Sequence, residues 1–201
     1  MALGAAYTGV IFAGGPRLLT PDRAREVLRP AEGSVVKRVG VFGQQHTDEV
    51  LEIAQHVALD VLQLSRGGDR PLRLGLRDMF KGALWAVVHI GPSAPLSVDS
   101  ALRWFDEGID ALVLDAAVPG QLGGTGVALD WAALGPDIQR VQRRGTVVLA
   151  GGLRPSNVAH ALALTGADVL DVSSGVESAP GIKDPELMRA FVSAARAHEV
   201  R

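Results

Sequence analysis

At 201 residues, 47% hydrophobic and 21% charged, the chain is long enough to bury roughly 70% of its unfolded surface in one domain, and too apolar to be disordered. A formal net charge of -2, with no run of Lys or Arg longer than two, excludes a nucleic-acid surface and a polybasic membrane patch. The 201 residues contain no Cys, which excludes disulfides, thiolate metal sites and a cysteine nucleophile from them.

In chain order, Met1–Gly9 lacks a basic region and an apolar stretch long enough for a signal peptide. No apolar run approaches the roughly 20 residues that span a bilayer, so a cytoplasmic protein is expected. Seven short apolar runs follow: Tyr7–Phe12, Val39–Phe42, Val61–Leu64, Leu84–Ile90, Ala111–Leu114, Val147–Ala150 and Val169–Val172. They are continuous rather than alternating, which suits strands covered on both faces. Helical spacing lies between them. Thr20-Pro21 places a capping oxygen before a proline at the first helical position, and Asp184-Pro185 does the same. Thr47 is expected to cap a helix carrying Val50, Ile53, Ala54 and Val57 at i, i+3, i+4, i+7. Residues 66–80 are broken by three glycines and give no clear pattern. Leu96–Phe105 and Trp131–Val141 are further helices; Pro155 is expected to open another, with Val158, Ala161, Leu162 and Thr165 on one face. Leu187, Ala190, Phe191 and Ala194 mark the last.

Regular βα alternation demands a parallel sheet, either doubly wound or closed as a barrel. No GxGxxG follows the first strand, and Gly-rich motifs sit after several different strands, so the barrel is favoured. A (βα)8 barrel needs eight units, and the count here is seven, in a single domain spanning residues 1–201.

Gly151-Gly152 and Ser173-Ser174-Gly175 end two successive strands. Two adjacent Gly/Ser turns, each expected to lead into a helix, suit a phosphate group held by backbone N–H donors; the alternative is that they only make tight turns. Asp115 follows four apolar residues at a strand's C-terminal end, where a carboxyl can act as a general acid or base, or cap a helix. Asp171, in the last strand, can face a pocket or bind backbone. Val118–Gly126, with Gly123, Gly124, Thr125 and Gly126, is a lid candidate. Arg17, after the first strand, suits a carboxylate or phosphate, or is a surface arginine. The five histidines lack metal-ligand spacing, and only His89 ends a strand. Trp85, Trp104 and Trp131 read as packing residues.

Asp115-Ala-Ala-Val-Pro-Gly-Gln-Leu-Gly-Gly-Thr-Gly with Asp130-Trp131, Leu149-Ala-Gly-Gly-Leu-Arg-Pro-Ser-Asn157-Val, and Asp171-Val-Ser-Ser-Gly-Val-Glu177 with Gly181-Ile-Lys-Asp184-Pro together resemble the phosphoribosylanthranilate isomerase family. Val39-Gly-Val-Phe42 and Asp60-Val-Leu-Gln-Leu64 match upstream segments, so the resemblance covers nearly the whole chain in order. It implies a ribulose-phosphate-binding (βα)8 barrel acting in tryptophan biosynthesis by an Amadori rearrangement of N-(5-phosphoribosyl)anthranilate. No cofactor and no metal are implied, and the partner is a phosphosugar substrate bound by a monomer or homodimer. The resemblance makes Asp115 the general acid and matches Arg17 to the substrate carboxylate. It makes Asp171 a supporting carboxylate and Gly151, Gly152, Ser173, Ser174 and Gly175 the phosphate loops.

Two departures stand out. The family opens with a strand ending in Lys-Ile-Cys-Gly, whose Cys is the general base, whereas residues 1–10 here match the end of the first helix and the second strand; about 20 residues, one βα unit, are missing. Ser65-Arg66 stands where the family has His-Gly, so no contact carries over there. One expectation is an active isomerase whose start lies upstream. Others are a phosphosugar-binding remnant or an enzyme using another base, and a different phosphate-binding barrel with convergent loops.

Overall fold

The computed structural model describes residues 3–91, 95–116 and 129–199. Among these, seven strands alternate with helices. They run β1 (Tyr7–Ile11), α1 (Pro21–Leu28), β2 (Lys37–Phe42), α2 (Thr47–Val57), β3 (Val61–Leu64), α3 (Arg70–Met79), β4 (Ala83–Ile90), α4 (Val98–Asp106), β5 (Ala111–Ala116), α5 (Trp131–Gln142), β6 (Thr146–Leu149), α6 (Val158–Thr165) and β7 (Val169–Leu170). A short antiparallel hairpin of β8 (Glu177–Ala179) and β9 (Ile182–Lys183) precedes α7 (Pro185–Glu199). Among the described residues no helix is long and apolar enough to cross a membrane.

The chain gathers into two compact units: Met1–Val87 with Trp104–Ala111, and Val88–Arg103 with Leu112–Arg201. In the first, β1, β2, β3 and β4 pair in that order, all parallel, with Val39 opposite Val61 and Val61 opposite Ala83. Phe12 and Phe42 stack at 5.2 Å and are almost wholly buried, as are Leu62, Leu64 and Leu84. A parallel sheet covered on both faces needs this run of apolar side chains. Trp85 meets Tyr7 edge-on at 4.8 Å. Trp104 lies under the guanidinium of buried Arg73 at 5.5 Å. Arg73 also donates to the carbonyls of Gly67 and Gly68 and pairs with Glu107, fastening the turn after β3.

In the second unit β6 and β7 pair in parallel, with Leu149 opposite Leu170. Its core joins Trp131, Leu149, Val158, Ala161, Ala167 and Phe191 to Leu153 and Val176. The last two belong to the loops that follow β6 and β7, so each loop carries its own apolar anchor.

Local chemistry sets the helix ends. Thr20 accepts from the Arg23 N–H at 3.3 Å, and Asp184 accepts from Glu186 at 2.8 Å and Leu187 at 3.2 Å, as their spacing before proline predicts. Three expectations are corrected. Thr47 is the first residue of α2 rather than its cap; His46 holds the extended capping position and no side chain caps there. The Gly-interrupted stretch contains α3, opened by Asp69, which accepts from Leu72 at 2.8 Å with Pro71 in the first turn. The helix expected from Pro155 begins at Val158, because the Asn157 side chain accepts from Arg154 N–H at 2.8 Å and holds residues 154–157 as a turn.

One device recurs. Asp60, Asp110 and Asp168 each precede a strand. Each donates its backbone N–H to the carbonyl of a residue at the start of the preceding strand and accepts that same residue's N–H on its carboxylate. The partners are Arg38, Leu84 and Val147, and each carboxylate bond is 2.8 Å. These staples set β2 against β3 and β6 against β7, and hold Asp110 at the foot of β4. Asp60 also reaches the Arg38 guanidinium at 3.3 Å, and Asp110 meets Arg77 at 3.0 Å. Replacing Asp60 by Ala is expected to cost about 1–2 kcal/mol in urea unfolding with the m-value unchanged. Asp60→Asn keeps an acceptor oxygen and is expected to lose less than half of that; equal losses would show that the staple is a charge effect only.

Candidate active site

The second unit brings most of the sequence-singled residues together. The Ala150 N–H donates to Leu114 O and the Asp171 N–H to Leu149 O, both at 2.9 Å. These bonds place Asp115, Ala150 and Asp171 at one level across three adjacent strands, on one face, so the two carboxyl-bearing backbones stand two strand spacings apart, roughly 9–10 Å. Strand β7 ends at Leu170, two residues earlier than its apolar run suggests, since the chain turns away into the Ser173 loop after Asp171 pairs.

Gly151 and Gly152 adopt φ of +79° and +66°, a conformation side-chain-bearing residues disfavour. A Cβ at Gly151 would come within 2.8 Å of Asp115 Oδ1 and 2.5 Å of the Ala116 nitrogen. The Asp115 carboxyl therefore lies directly against Gly151. A Cβ at Gly175 would fall 1.8 Å from the Leu153 carbonyl, so the two Gly-rich loops touch backbone to backbone. The Asn157 side chain, which donates to Gly152 O at 2.9 Å while accepting from Arg154, ties the first loop together. The second loop leads not into a helix, as expected, but into one 3-10 turn (Ser174–Val176) and the β8–β9 hairpin.

Burial pushes the Asp115 carboxyl above the usual aspartate range, while the His89 charge and the Ala116 N–H draw it partly back. Asp171 is raised too, first by desolvation and then by the charge of Asp115; Lys183 and the Val172 N–H oppose this. Asp171 is nonetheless an exposed residue, so water reaches it and tempers this rise. Two carboxyls that each resist ionisation, beside paired glycine loops, can hold a proton for delivery to a bound anionic ligand.

The family description N-(5'phosphoribosyl)anthranilate (PRA) isomerase matches residues 1–194. The N-(5'-phosphoribosyl)anthranilate isomerase of Paramagnetospirillum magneticum is 40% identical, over 96% of this chain and 88% of that protein. This chain belongs to the phosphoribosylanthranilate isomerase family. The solved structure of the Thermotoga maritima phosphoribosyl anthranilate isomerase matches with a TM-score of 0.83 at 28% identity, over 98% of this chain and 90% of that one. A further phosphoribosyl anthranilate isomerase, solved with reduced 1-(o-carboxyphenylamino)-1-deoxyribulose 5-phosphate, matches at 0.80 and 26% identity, over 98% and 90%. The fold class is thus the (βα)8 barrel of the isomerase family, with seven βα units in these residues.

Arg17 stands in the other unit, half-buried in the turn after β1, where Leu18 N–H meets Gly15 O at 3.2 Å. Gly123, Gly124, Thr125 and Gly126 of the expected lid lie outside the described residues. Asn157 and Lys183 were quoted in motifs but given no role by sequence reasoning. Their work is to bond loop backbone, and only the Asn three residues after Arg154 hinted at it.

Gly175→Ala is expected to push the two loops apart and weaken binding of inorganic phosphate at least tenfold in calorimetry; unchanged affinity would show that the loops need not touch. Asp171 gives a pH test. Its folded value lies above the ordinary 3.8, so folding disfavours the charged form; this cost is absent below 3.8 and grows as pH rises through the folded value. Asp171→Asn is therefore expected to raise Tm at pH 8 and to lose that gain as pH falls toward 3.8. A gain independent of pH would assign it to another cause.

Proposed function

We propose that the chain acts, as one (βα)-barrel domain and without a cofactor, on N-(5-phosphoribosyl)anthranilate, converting it to 1-(2-carboxyphenylamino)-1-deoxyribulose 5-phosphate. The observation that carries this reading is the contact of the Asp115 carboxyl with Gly151. A phosphosugar gripped by the N–H groups of Gly151, Gly152, Ser174 and Gly175, with Ser173 at the loop's entry, presents its furanose ring oxygen to Asp115. The protonated acid, favoured by its raised pKa, gives its proton to that oxygen as the C1'–O bond breaks and the anthranilate nitrogen forms a double bond to C1'. A base then takes the C2' proton; the electrons form C1'=C2', and the enolamine tautomerises to the ketone. Asp171 supports the opened sugar.

The family's base is a cysteine, and none occurs in these 201 residues. That favours a second reading for the chain taken alone, a phosphosugar-binding barrel with little turnover. Both readings require the same grip on the ligand. The chain is expected to bind reduced 1-(o-carboxyphenylamino)-1-deoxyribulose 5-phosphate in titration. In a fluorescence assay it is expected to turn substrate over about 10²–10⁴-fold more slowly than a cysteine-bearing relative. Failure to bind the analogue would sink the reading; relative-like turnover would remove the second. Where turnover is measurable, Asp115→Asn is expected to lower kcat by about 10²-fold or more with KM changed little, and equal loss in both would make Asp115 structural.

A further inference from the structure

The hairpin after the second phosphate loop folds one cation back onto that loop. In β8–β9, Glu177 stands directly opposite Lys183, and Lys183 Nζ donates to Glu177 Oε1 at 2.8 Å. The same ammonium reaches ten residues back, to the Ser173 carbonyl at 2.9 Å and the Ser173 hydroxyl at 3.3 Å. An ammonium has three N–H donors, and here all three meet acceptors, so Lys183 is a fastening rather than a spare charge awaiting a ligand. The Glu177 side chain is only 4% exposed. Lys183 gives this deep carboxylate a counter-charge beside the loop four residues upstream. The frame of the hairpin is firm: Gly181 turns it at φ +80°, Asp184 N–H continues it to Val176 O at 2.9 Å, and Val176 is anchored in the core.

We infer that Lys183 is a positioning residue for phosphate binding: it ties Ser173 down so that the backbone of residues 174 and 175 faces the anion, and it neutralises the buried Glu177 beside that anion. This rests on the reading of Ser173–Gly175 as a phosphate loop. The Lys183 charge is also among the influences that hold Asp171 down, which places it within electrostatic reach of the site.

The test measures binding of inorganic phosphate and of reduced 1-(o-carboxyphenylamino)-1-deoxyribulose 5-phosphate to the 201-residue chain and to four variants. Lys183→Met is expected to weaken both ligands about tenfold or more, the usual scale for losing charge-assisted hydrogen bonds. Lys183→Arg, which can still meet Glu177 and Ser173, is expected to stay within about threefold of the parent. Lys183→Met/Glu177→Gln also removes the carboxylate charge and is expected to recover part of the loss. If Lys183→Met does not fold, Glu177→Gln alone decides, since it leaves the tie to Ser173 and removes a negative charge: equal or tighter phosphate binding supports the inference, and weaker binding overturns it. A parent that binds while Lys183→Met binds within twofold overturns the positioning role alone, as does a double variant no tighter than the single one. A parent that binds neither ligand overturns this role together with the functional reading beneath it.

Discussion

Gly175 passes so near the Leu153 carbonyl that a single methyl group would be driven into it. That approach makes one surface out of two loops that leave the sheet at neighbouring strands. The same economy of atoms operates at Gly151, where the missing side chain leaves room for the Asp115 carboxyl. Glycine here is valued less for its flexibility than for the space it frees, and the space is filled by backbone and by the Asp115 carboxyl. The cost of such bare loops is conformational entropy, and it is offset locally. Leu153 and Val176 sink into the core, Asn157 bonds both ends of its turn, and Lys183 fastens Ser173.

Electrostatics follows from that crowding. Asp115 and Asp171 stand at the same level across β5, β6 and the end of β7, and crowding by protein atoms makes each resist ionisation, less so at the exposed Asp171. The compensating groups are few: His89 and the Ala116 N–H for Asp115, Lys183 and the Val172 N–H for Asp171. An anion site that also kept an acidic proton would need such an imbalance, because added cations would ionise the acid.

Much of this was legible in the sequence, and the parts that were not share a cause. The strands could be read because runs such as Leu84–Ile90 and Ala111–Leu114 are apolar on both faces, a pattern local to the run itself. Proline after Thr20 and after Asp184 marked two helix starts for the same reason. Helix α3 was hidden by Gly67, Gly68 and Gly75, although Asp69 with Pro71 two residues on is a start signal of the same kind. The Ser173–Gly175 turn was expected to lead into a helix, and its continuation into a hairpin was missed, since β8 and β9 are three and two residues long and carry no periodicity. The partners of Asp60, Asp110 and Asp168 lie 22, 26 and 21 positions away, so their role depends on strand register rather than on neighbours in the chain. Lys183 is similar on a shorter scale. Its identity as a surface lysine says nothing until the turn at Gly181 brings it over Ser173.

The three aspartate staples have a bearing on how such a protein could arise. Each one needs both halves of a neighbouring pair, an acceptor ahead of the second strand and a donor at the foot of the first. Copying a two-strand module reproduces the staple intact, whereas copying a lone strand leaves half of it behind. A lineage that lengthened by doubling modules would inherit its own fasteners at every step, and the cadence of Leu-Asp-Val-Leu at 59–62, Ile-Asp-Ala-Leu at 109–112 and Ala-Asp-Val-Leu at 167–170 has the form such copying would leave.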